Sequence, residues 1–179
     1  MNDGIVTAVR SALCSCFGLA PDSPVVLSLI REAYTEPENT PRPARTVDVI
    51  YWSLAPDTGQ DPPAYGETDA GEGNHRPAVT RALAYRLTVV CYGPAAEAHA
   101  QRIRALLYVD GRDFPREILR RAGIFPIPDP PPVEKLYEPE GSLWRRRADL
   151  TVSLRIVDTV LAAQTRSAIR TVPAVMIRH

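Results

Sequence analysis

The chain has 179 residues, 45% of them hydrophobic and 23% charged, with 21 Lys+Arg against 21 Asp+Glu and a formal net charge of zero. That is the length of one domain with room for a real core, and the charge balance excludes a whole-molecule field that would draw in nucleic acid or a membrane. No apolar run is long enough to span a bilayer as a helix, and the three cysteines, Cys14, Cys16 and Cys91, make no disulfide framework and are expected to be reduced and buried.

Residues 4–17 carry Ile5, Val6, Val9, Leu13, Cys16 and Phe17 at spacings of three and four, which predicts a helix with Asp3 as its N-cap and Gly18 as its stop. No basic segment followed by an apolar one opens the chain, so no signal peptide is expected and synthesis is expected in the cytosol. The apolar run 24–30 fits strand or helix, and its flanking prolines favour a short strand. Residues 36–45 hold Pro37, Pro41 and Pro43 and read as a loop. Residues 46–54 are rich in β-branched and aromatic side chains and predict a strand. Residues 55–74, rich in Gly, Pro, Asp and Glu, predict a long mobile loop.

Residues 79–92 form the next expected strand, with Leu83, Tyr85, Leu87, Val89 and Cys91 on one face and Ala84, Arg86, Thr88 and Val90 on the other. Residues 94–108 predict a helix with Pro94 at its start and a buried stripe of Ala96, Ala100, Ile103 and Leu107. A short helix is expected over 114–121, capped by Asp113 and stopped by Gly123. A brief strand at 124–127 and a polyproline-like stretch at 126–132 follow. From Asp149 the alternation is clean. Leu150, Val152, Leu154 and Ile156 point one way, and Asp149, Thr151, Ser153 and Arg155 the other, which predicts a half-buried strand to about residue 161. Residues 167–178 read as a last, edge strand because of Pro173. The most economical packing is an α+β fold over 1–179, a mostly antiparallel sheet with helices packed on one face.

No catalytic constellation is legible. His75, His99 and His179 are scattered, with no zinc spacing, and Cys14-x-Cys16 lacks the gap of a zinc knuckle. His99 is expected to be solvated. Glu67, Asp69 and Glu72 lack the EF-hand pattern and read as a solvated loop. No nucleotide or hydrolase motif is present, and no metal or cofactor is expected. The strongest charge feature is Arg145-Arg146-Arg147 beside Trp144. It reads either as a phosphate or interface contact, since arginine and aromatics anchor interfaces, or as a solvated strand entrance balanced by Glu138 and Glu140. The wet strand face with Thr151 and Ser153 suggests a surface built to meet another surface. The candidate interface is therefore Trp144, Arg145, Arg146, Arg147, Thr151 and Ser153, with the arginines expected to be exposed.

Two segments carry a family resemblance. Tyr85-Arg86-Leu87-Thr88-Val89-Val90-Cys91-Tyr92-Gly93-Pro94, followed by a helix, and Trp144-Arg145-Arg146-Arg147-Ala148-Asp149-Leu150, opening a long strand, resemble the neck and tail terminator proteins of long-tailed phages and prophages. The resemblance covers about residues 25–165. It implies a non-enzymatic virion protein that forms a ring, commonly a hexamer, at the head-proximal end of the tail tube. Its partners would be copies of itself, the tail tube protein and head–tail connector proteins, with no membrane. The genome would pass through the lumen without specific nucleic-acid recognition. The alternatives are a neighbouring connector or tail-completion protein, or a small enzyme using loop carboxylates.

Overall fold

A computed structural model describes residues 3–33, 43–60, 64–71, 74–111, 114–161 and 166–167. The chain opens with helix α1 (Asp3–Ser15), as its periodicity predicts, and α1 buries Val9, Ala12, Leu13 and Cys14. The run 24–30 is not a strand but helix α2 (Pro24–Leu29), followed by the short strand β1 (Ile30–Glu32). The reason is local. Ser23 caps the helix, its hydroxyl accepting from the Val25 amide, and Pro24 sits in the first turn where its missing N–H costs nothing.

The remaining elements, in chain order, are β2 (Val49–Gln60), β3 (Ala64–Gly71), β4 (Asn74–Tyr92), α3 (Ala96–Leu107), α4 (Pro115–Arg121), β5 (Ile124–Pro126), β6 (Glu134–Glu140), β7 (Leu143–Leu161) and β8 (Arg166–Ser167). The sheet runs β1-β2-β4-β7-β5, with β3 and β8 also paired to β4 and β6 also paired to β7. Every pairing whose register is described is antiparallel except β1 with β2. The fold is α+β with a mostly antiparallel sheet.

The chain forms two compact units, the first from Met1–Gln60 with Leu83–Ile156, the second from Asp61–Ala82 with Val157–His179. In the first unit, Ile50 lies opposite Cys91, Trp52 opposite Val89 and Leu54 opposite Leu87. These six side chains are buried, and they join Leu150, Val152, Leu154 and Ile156 of β7 in one core. The helices complete it. The buried stripe of α3 is Ala96, Ala100, Ile103 and Leu107, as expected, and α4 adds Leu119. The cap of α4 is Phe114 rather than Asp113, because Pro115 occupies the first helical position. All three cysteines are free and buried.

In the second unit, β3 pairs with β4 from Ala64 opposite Thr80 to Gly71 opposite Asn74, and β8 adds Asn74 opposite Ser167. Here the expectation of a loop over 55–74 is corrected. Within the described residues this stretch is extended, first as the end of β2 and then as β3. Its Gly, Pro and acidic content disfavours a buried strand, but ladder hydrogen bonds depend on a partner backbone more than on composition. The expected loop at 36–45 falls mostly outside the described residues, as does the expected last strand beyond Ser167.

An arginine corner on the β6–β7 hairpin as candidate functional site

Strand β7 begins at Leu143, six residues before the alternation becomes clean, so the arginine run is not a strand entrance but part of the strand. It does so because β6 precedes it as a hairpin partner. Gly141 and Ser142 form the connection, and Gly141 takes the left-handed φ of +64° that such a tight turn requires. The register places Pro139 opposite Trp144, Glu138 opposite Arg145, Tyr137 opposite Arg146 and Leu136 opposite Arg147. Strand β6 escapes a sequence reading because its residues are mostly exposed and show no alternation of burial. The Glu-Gly-Ser-Leu junction at 140–143 was the available turn signal.

The pleat splits the run. Trp144 and Arg146 lie on the same face as Ala148, Leu150 and Val152. Ala148 is 1% exposed, however, and Trp144 is 66% exposed, so the core ends between them. Tyr137, also 66% exposed, stands opposite Arg146 on this uncovered end. The other face carries Arg145, Arg147, Asp149, Thr151 and Ser153. Thr151 and Ser153 are exposed as expected.

Arg145 departs from the expectation. It is 5% exposed. Its guanidinium carbon sits 4.6 Å from the centroid of the Tyr92 ring, a cation–π contact, and its Nε and Nη2 meet no hydrogen-bond partner. Sequence reasoning placed it in solvent because burial here depends on Tyr92, more than fifty positions away. Arg147 is half-buried and well paired. Its Nε and Nη2 grip Asp149 at 2.7 and 2.6 Å, a two-pronged bond, and its Nη1 lies 3.5 Å from Glu138. Those bonds hold the Arg147 guanidinium more firmly protonated than usual. Tyr92 donates to Glu138 Oε2 at 2.7 Å, and burial together with that bond pushes its pKa up to about 12.

Two clefts share Arg145. One, of about 360 Å³, is lined by Ala33, Pro43, Tyr51, Val90, Tyr92, Glu138, Arg145 and Arg147. The other, of about 310 Å³, is lined by Arg45, Gly93, Pro94, Trp144, Arg145 and Arg146, three arginines without a carboxylate among them. Thr151 and Ser153 line neither. The backbone that shapes the second cleft is tightly specified. Gly93 has φ +112°, and a Cβ there would lie 2.4 Å from Asp48 Oδ1 and 2.8 Å from the Val47 carbonyl oxygen. Its N–H donates to the Arg146 carbonyl at 3.2 Å, which ties the end of β4 to the arginine run.

His99 is half-buried rather than solvated. It packs edge-on against Phe17 at 5.3 Å, and its Nε2 lies 3.7 Å from Asp48, whose Oδ1 accepts the Ala95 amide. Glu67 and Asp69 lie on β3. Among the described residues no three of His, Cys, Asp and Glu gather as a metal-holding group.

The corner offers exposed aromatics, guanidinium groups and two clefts that share Arg145, which is the equipment of a docking surface. A comparison with curated proteins finds no match. The family model for phage neck terminator proteins matches residues 3–177, nearly the whole chain, and the protein belongs to that family.

Proposed function

We propose that the chain closes into a homo-oligomeric ring, a hexamer by the family resemblance, at the head-proximal end of the phage tail tube. There it ends tube growth and joins the tail to the head through the tube protein and connector proteins. Membership of a structural neck family supports this reading and argues against the enzyme alternative. The observation that carries the docking part is the uncovered end of β7. Trp144 and Tyr137 are each 66% exposed, and Arg146, opposite Tyr137, is exposed beside them. Large aromatics beside arginine on a rigid hairpin make hot spots when a partner excludes water from them. A ring needs such a patch to meet a different patch on the next subunit, head to tail, with the rotation closing.

The test is the double variant Trp144→Ser, Arg146→Ser. Both side chains are exposed, so the subunit should fold with an unchanged melting temperature. Ring mass by light scattering should fall, and tails assembled with the variant should have abnormal length or fail to join heads. High salt should mimic part of the loss. Normal tails, normal joining and an unchanged oligomer mass would show the corner to be ordinary solvated surface.

A further inference from the structure

The guanidinium of Arg145 is buried with two N–H groups that its own subunit does not bond. A buried arginine is normally fully bonded, because an unmet buried donor keeps its desolvation cost. Arg147, two residues on, follows that rule through Asp149 and Glu138. Arg145 does not. It is 5% exposed, its guanidinium lies against the Tyr92 ring, its Nε and Nη2 meet no hydrogen-bond partner, and the residue lines two clefts. Nε with Nη2 is one of the two edges by which a guanidinium takes a carboxylate in two parallel bonds.

We propose that this edge of Arg145 binds one carboxylate, carried on an aspartate or glutamate side chain of a second copy of this chain. The inference rests on the ring reading above. Depth selects a side chain. A carboxylate on one or two methylenes can enter a cleft of about 310 Å³, whereas the phosphates of a duplex are fixed to a rod that cannot follow Arg145 to its buried position. Charge selects a second copy. Residues 46–75 contain Asp48, Asp57, Asp61, Glu67, Asp69 and Glu72 and no Lys or Arg. Asp48 and Asp57 are engaged within the subunit, by the Ala95 amide and by Arg86. A chain of zero net charge whose sequence holds both an arginine run and an acidic stretch carries the charges to complement a second copy, head to tail.

The experiment compares the wild-type full chain with Arg145→Met and Arg145→Lys, purified alone. Methionine keeps the stem volume and removes the fork; lysine keeps the charge and loses the fork. For Arg145→Met we expect a melting temperature of the dissociated subunit equal to or above wild type, since an incompletely bonded buried charge has been removed. Ring formation, followed by light scattering against concentration, should need about tenfold or more protein. Arg145→Lys should be weakened as well. Ring formation by Arg145→Met at wild-type concentrations would overturn the proposal. So would a lowered subunit melting temperature, which would make Arg145 a brace of its own subunit. A wild-type chain that stays monomeric at every concentration would instead sink the ring reading itself.

Discussion

Leu154 is the sharpest probe of the face assignment on β7. It is 0% exposed, lies opposite Pro126 of β5, and shares its face with Val152 and Ile156, both also buried. Leu154→Ala removes three carbons from a site walled by a sheet neighbour and the helix layer, so the cavity cannot collapse fully, and the expected cost is about 3–4 kcal/mol. For a chain of this size that lowers the melting temperature by roughly 10 °C. Leu154→Asp is harsher. It loses about 2–3 kcal/mol of leucine transfer and places a carboxylate where no cation waits, a further several kcal/mol. Together these approach the whole stability of a typical domain, about 5–15 kcal/mol, and the variant should not fold. Ser153→Asp, one residue away and exposed, should stay within about 0.5 kcal/mol of wild type. Urea unfolding followed by circular dichroism measures all three. Equal losses for Leu154→Ala and Ser153→Asp would refute the assignment of the two faces.

Gly93→Ala should lower stability by more than about 2 kcal/mol, because φ +112° strains any side chain and the new Cβ would meet Asp48 and Val47; a variant that melts with wild type would show that this turn relaxes freely. Burial pushes Cys16 and Cys91 up to about 12 and raises Cys14 as well. The three thiols should therefore resist alkylation in the native protein at pH 8 and react together once it is unfolded, and fast labelling of any one without denaturant would contradict their placement.

What the sequence disclosed were the features with a local period. The stripe of α3 follows from the helical repeat, and the two faces of β4 and β7 follow from alternation, because in each case one side meets the core and the other does not. What it hid were features set by distant partners. Strand β6 is mostly exposed, so no apolar alternation marks it, and it exists because the Gly141 turn folds it onto β7. Helix α2 was masked by prolines that here begin a helix instead of breaking one. The clean alternation begins only at Asp149, because from Trp144 to Arg147 the strand carries aromatic and charged residues with no apolar period, so a local pattern does not reveal which of Arg145 to Arg147 are buried. The burial of Arg145 depends on the Tyr92 ring, brought alongside by β4, and the pairing of Arg147 on Asp149 and on Glu138 of β6.

The division of labour along β7 has a physical basis. Between Ala148 and Ile156 one face is buried in the core, and any polar change there opposes folding. Towards Leu143 the burial of that face ends while the strand continues, so the pleat delivers Trp144 and Arg146 to solvent while Arg145, on the other face, is buried and lines two clefts. The β6–β7 register sets which residue goes where. A slip of one position would exchange Arg145 with a neighbour and turn every side chain of the hairpin to the opposite face. Gly141 at φ +64° sets that register, and the Gly93 bond to the Arg146 carbonyl ties the corner to the end of β4. On the docking proposed above, fold stability and assembly draw on one strand but on separate lengths of it, so variants near residue 145 are expected to lose assembly without losing the subunit.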